Sequence, residues 1–137
     1  AKNSDSFKVD YKITNISLTQ INLFFGVEFN YALLAGYADD RYYYIPGIEL
    51  EQKKLATSGE HLHISEIGLK DHWLKVDCNL QISSPARLWR FPIETVSQSE
   101  AGFEKVYQSS VVLPHWHLDL APSQSWSVTL THHIRHF

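Results

Sequence analysis

Residues Leu88 to Trp116 read LWRFPIETVSQSEAGFEKVYQSSVVLPHW. Two apolar runs flank a polar segment, Glu94 to Glu104, in which Val96 and Phe103 are the only large apolar side chains. Ala101-Gly102 supplies a bend. In the first run Trp89, Phe91 and Ile93 share one strand face, opposite Leu88, Arg90 and Glu94. Pro92 has no N–H to give a ladder, so it marks an edge or the strand's end. Beyond the polar segment, Val106 to Leu113 is extended and Pro114 interrupts it. Trp116, Leu118 and Leu120 then alternate with His115, His117 and Asp119. The unit is strand, polar loop, strand. A loop so rich in Gln, Ser and Glu is expected to meet a sugar, a metal or another protein surface.

The same period of two recurs on either side. Phe7, Val9, Tyr11 and Ile13 alternate with polar residues. Ile21 to Leu33 holds an apolar residue at every odd position, which predicts one long central strand with Gly26 as a bend or bulge. Gly36 to Gly47 (GYADDRYYYIPG) reads as a loop bearing four tyrosines. Glu49 to Glu60 is a polar loop or short helix. Leu62, Ile64, Ile67 and Leu69 predict two short strands around Ser65-Glu66. Leu74 to Ile82 alternates again, with Cys78 on the apolar side, and Ser83-Ser84-Pro85 is expected to turn the chain. Trp126, Val128, Leu130, His132 and Ile134 form the last apolar face. Short strands joined by turns, with no amphipathic helix, predict an all-β antiparallel β-sandwich.

With 137 residues the chain is a single domain by length. A charged share of 20% beside a hydrophobic share of 44% is too balanced for disorder. The net charge of −3, without a basic stripe, argues against nucleic acid as a partner. No apolar run approaches the ~20 residues of a membrane helix. The single cysteine, Cys78, rules out an internal disulfide and fits a reducing, cytoplasmic location. The chain has no methionine, even at position 1, and is expected to be cut from a longer protein.

Candidate chemistry is sparse. His61 and His63, and then His115, His117 and Asp119, place possible metal ligands on single strand faces. Zinc needs three or four such groups in a tetrahedron. The polar outer face of a strand accounts for them as well, and no metal or cofactor is expected. Glu94, Glu100 and Glu104 cluster, but glycoside hydrolysis requires two carboxyls held about 5–10 Å apart, which loop spacing does not establish. No Gly-x-Ser-x-Gly elbow or phosphate loop occurs. Cys78 reads as a small core hydrophobe. Tyr37, Tyr42, Tyr43 and Tyr44 cannot all point inward from one loop. Their rings suit sugar faces and protein interfaces, or packing at a sandwich edge. Asn15-Ile16-Ser17 matches a glycosylation acceptor, a pattern common by chance.

The stretch from Leu88 to Trp116 closely resembles the C-terminal β domain of family 57 glycoside hydrolases of the 4-α-glucanotransferase and α-amylase type. NLFFGVEFNYALLAG (Asn22 to Gly36) and DRYYYIPG (Asp40 to Gly47) resemble earlier segments of it. The resemblance implies an enzyme that cuts or transfers α-1,4-glucan chains by a retaining mechanism. A glutamate nucleophile and an aspartate acid/base would reside in an N-terminal barrel of alternating strands and helices. No catalytic motif of that barrel falls on any residue here, so this chain alone is expected to be non-catalytic. It further implies a jelly-roll or mutarotase-like sandwich, part of a larger sandwich domain, that packs on the catalytic barrel and steadies the glucan cleft. The glucan would be a maltooligosaccharide, starch or glycogen. The residues expected at substrate or interdomain contacts are Tyr42, Tyr43, Tyr44, Glu94, Gln98, Glu100, Tyr107, Gln108 and Trp116. The alternative is a purely structural module without glucan contact; a metal-dependent enzyme built on His115, His117 and Asp119 is a remote third reading.

Overall fold

A computed structural model describes residues 4–137, with Ser4 described by its backbone only. Eight strands follow one another: β1 (Ser4–Thr14), β2 (Ile21–Gly26), β3 (Phe29–Tyr31), β4 (Arg41–Tyr44), β5 (Gly59–Asp71), β6 (Val76–Ser99), β7 (Gly102–Leu120) and β8 (Ser125–His136). All pairings are antiparallel. The order is β1-β8-β6-β5-β4, and β7 pairs with β6, β2 and β3. The result is the expected all-β sandwich.

The long strand β6 belongs to both layers. Val76–Ile82 pairs with β8, whereas Arg87–Ser99 pairs with β7. Ser83-Ser84-Pro85, expected as a turn, lies in this crossing, and β6 runs through it unbroken. No strand pairs with these three residues in a backbone ladder, so the proline costs no ladder bond. Parity is therefore kept along the strand. Cys78, Leu80 and Ile82 point inward, and so do Ala86, Leu88 and Arg90. Trp89, Phe91 and Ile93 form the outer face of this strand; Trp89 is 46% exposed.

Other elements depart from the expected boundaries for similar reasons. Pro114 does not interrupt β7, because it sits opposite the gap between β2 and β3, where its carbonyl accepts from Val27 N–H at 3.1 Å. The odd residues from Ile21 to Leu33 do share the inner side, but pairing breaks just after Gly26, giving two strands instead of one. A side chain at Gly26 would press on Leu113 and His115 at 3.2–3.3 Å. The tyrosine-rich segment is partly strand β4, paired with β5. The two short strands expected around Ser65-Glu66 are one strand with irregularities between His61 and Glu66. His63 takes φ 58 there, so His61 and His63 do not continue one alternating face. Glu49 to Ser58 contains no helix.

The core lies between the layers. Ile64, Ile67, Leu69, Leu80, Ile82, Leu88, Val112, Val128 and Leu130 form its centre. Trp116 and Trp126 pack at 5.0 Å between ring centres, and both flank Phe25. Asn15, the only match to a glycosylation acceptor, is buried. Its amide donates to the carbonyls of Thr19 and Leu120 and so locks the β1–β2 turn.

Candidate functional site: a projecting ribbon

Strands β6 and β7 outrun their neighbours. β5 begins at Gly59, opposite Arg90, and β3 ends at Tyr31, opposite Ser110. Past those points Ile93–Ser99 and Gly102–Ser109 pair only with each other. The polar segment expected as a loop is therefore a two-stranded ribbon. Its turn is Glu100-Ala101, and Gly102 takes φ 115, which favours glycine. The Ser99 hydroxyl accepts from Ala101 N–H and donates to the Gly102 carbonyl. Pro92 does mark an edge, since β5 has already ended beside it, but not the end of the strand.

A bulge at Gln108 aims the ribbon. Ile93 pairs with Ser109 and Glu94 with Tyr107, so Gln108 is the extra residue. Its amide donates to the Thr95 hydroxyl at 3.1 Å. Beyond the bulge, cross-strand partners share a face. One face carries Glu94 with Tyr107, Val96 with Lys105, and Gln98 with Phe103. Val96 and Phe103 are diagonal neighbours on it, 62% and 79% exposed.

The base of that face is anchored. The Tyr107 ring lies over Gly36, where an added Cβ would come within 2.5 Å of it. Its hydroxyl bonds that of Ser110 at 2.6 Å, and Ser110 Oγ donates to the Leu55 carbonyl at 2.9 Å. Burial pushes the Tyr107 phenol up from its ordinary range. Tyr37 donates its hydroxyl to the Glu94 carboxylate. That hydrogen bond, more than anything else, raises the Tyr37 phenol.

The structure gathers five of the expected contact residues here. Glu94, Gln98 and Tyr107 share the face, Glu100 is at the tip and Gln108 is on the bulge. Tyr42 and Tyr44 lie elsewhere, on the outer side of β4, where they hydrogen-bond His72 and Asp77. Tyr43 and Trp116, also expected at contacts, are buried, at 1% and 7% exposed. Tyr43 points inward because it alternates with two outward tyrosines. Trp116 spends its indole N–H on the Ser84 carbonyl. Sequence reading missed Arg90, which is 3% exposed at the ribbon's root. Its even-numbered parity with Leu88 was the available signal.

The histidine motifs do not converge. His115 is buried beneath Trp89, at 4.5 Å between rings, and is not on a solvated face. His117 stacks on Phe24 and bonds Asn22, while Asp119 accepts from Gln20. Among the described residues no three His, Cys, Asp or Glu side chains gather as metal ligands. No helix of the described residues is long and apolar enough to cross a membrane.

The family profile described as "Alpha-amylase/4-alpha-glucanotransferase, C-terminal" matches residues 1–130. The chain belongs to this family. It is 35% identical to α-amylase 1 of Dictyoglomus thermophilum over 94% of its own length. It spans only 18% of that relative. Among solved structures, the 4-α-glucanotransferase of Thermococcus litoralis superposes with a TM-score of 0.59 at 19% identity, over 95% of this chain and 16% of that one. The Slr1438 protein of Synechocystis gives 0.64 at 13% identity, over 96% and 51%. These two share the fold. As a C-terminal domain of the α-amylase/4-α-glucanotransferase family, the chain fits the resemblance read from Leu88 to Trp116.

Proposed function

We propose that this chain is the non-catalytic C-terminal sandwich of a longer enzyme acting on α-1,4-glucans, and that its ribbon docks on the catalytic barrel beside the glucan. One observation carries the reading: a two-stranded ribbon that offers Val96 and Phe103 to solvent on the same face as Tyr107 and Glu94. A hairpin with bare edges is only marginally stable in water and gains by covering one face. The small share of the curated relative that the chain spans supplies a covering partner. The charged tip, with Glu100 and Glu104, keeps the free edges from pairing with other chains. Cys78, a buried free thiol, fits a cytoplasmic setting.

The test uses the longer enzyme with its catalytic region made as a separate piece. Burying Phe103 stabilises an interface by about 1.5–3 kcal/mol, so Phe103→Ser should weaken association by roughly 10- to 100-fold. The sandwich itself should keep its stability, because Phe103 touches so little of it. Unchanged association in Phe103→Ser and Val96→Thr together would defeat the docking. The glucan arm is read by mobility in glycogen-containing gels. If alanine at Gln98 and Glu100 leaves both mobility and transfer rate unchanged, the module is structural, without glucan contact.

A further inference from the structure

The root of the ribbon holds a buried cation that no carboxylate neutralises. Arg90 is 3% exposed, and among the described residues none of its nitrogens lies within ion-pair distance of an acid. Its guanidinium rests on the Tyr43 ring, 4.8 Å from the centre. Four of its five N–H groups are spent on neutral acceptors. Nε donates to His61 Nε2 at 3.1 Å, Nη1 to the carbonyl and hydroxyl of Thr57, and Nη2 to the Gln52 carbonyl. One Nη2 N–H is left over.

Two details turn this clamp into one wall of a site. Because His61 Nε2 accepts from a permanent donor, the imidazole is neutral and its proton sits on Nδ1. Gly59, paired with Arg90, leaves room above both groups. A Cβ there would stand 3.0 Å from Arg90 Nε, Arg90 Nη2 and His61 Nε2. Arg90 and His61 line a cleft of about 410 Å³ together with Glu49, Glu51, Ile48 and Leu50. That volume is within the range of small-molecule sites, about 300–1,000 Å³.

We infer that this cleft binds a short neutral saccharide. Two carboxylates outnumber one guanidinium, so an anion is repelled, while a cation would meet Arg90. A hydroxyl group suits this mixed lining: it can accept from Arg90 Nη2 or His61 Nδ1 and donate to Glu49 or Glu51. Ile48 and Leu50 offer apolar surface to the C–H face of a sugar ring. That the saccharide is an α-glucan rests on the function proposed above; the cleft itself does not, since it shares no residue with the ribbon's docking face.

The test is a titration of this chain followed by NMR at the Gly59 amide, the Arg90 Nε–H and the His61 ring, with maltotriose, cellotriose and inorganic phosphate as probes. Saturable shifts with maltotriose are expected, and none with phosphate. Glu49→Gln with Glu51→Gln, both on exposed residues, should raise Kd about tenfold or more. Binding of cellotriose but not maltotriose would support the cleft and remove the α-glucan assignment. Response to neither sugar, response to phosphate alone, or a Kd untouched by the double substitution would overturn the inference.

Discussion

Gly68→Ala should destabilise the sandwich by about 2–3 kcal/mol through one specific neighbour. Gly68 lies on β5 with the Tyr44 ring laid across it. A Cβ would fall 2.2 Å from two ring carbons and 2.4 Å from the phenol oxygen, far inside contact distance. The ring must leave. Its hydroxyl then loses the bond it donates to Asp77 at 2.8 Å and the one it accepts from Asn79 at 3.0 Å. A neutral hydrogen bond contributes about 1 kcal/mol and one to a carboxylate about 1.5–3. Against this loss, alanine in a strand regains roughly 0.5–1 kcal/mol over glycine. Asn79 is buried and already has one oxygen unpartnered, so it tolerates the loss poorly. In a Tyr44→Ala background the obstruction is gone, and Gly68→Ala should become neutral or slightly stabilising. Urea unfolding followed by tryptophan fluorescence would give the coupling directly, expected at about 2–3 kcal/mol. If the two substitutions simply add, the ring does not occupy the space the glycine vacates.

Two further outcomes follow from buried groups. His132 is held between Phe7, stacked at 4.4 Å, and Phe29, edge-on at 4.5 Å, and its Nε2 has no partner. Burial, and then the charge of His133, lower its pKa, so the folded state resists protonation. Its stabilisation is complete above the ordinary histidine value of about 6.5 and is lost as pH falls from there through the lowered folded value. His132→Phe should flatten that part of the stability–pH curve, read from urea midpoints; an unchanged slope would refute it. The Cys78 thiol, pushed up by burial and by Asp77 and Asp71, should label with a disulfide reagent only as fast as the sandwich opens. Immediate labelling of the native chain would contradict its inward placement.

The chain's residue order alone determined the class of fold and the sides of its strands. An alternating chain can bury only one face of each strand, and Phe25, Leu80, Val128 and Leu130 already named that face. The family was legible in the same way, because Leu88 to Trp116 is long and unusual in composition. Where strands start, stop and change layer was decided by tertiary structure. Pro85 and Pro114 look like breaks, yet each sits where no partner strand needs its missing N–H, which depends on β2, β3 and β8 and not on the local sequence. Reading a turn at Ser83-Ser84-Pro85 lost the parity that carries Leu80 and Ile82 into Leu88 and Arg90. That is why the inward arginine went unseen. The ribbon shows the same division. Its composition marked it as a contact surface, but its exposure arises because β5 and β3 end early on either side. A hydrogen-bonding edge becomes free only when its neighbour runs out, and neighbours are set by the assembled sheet.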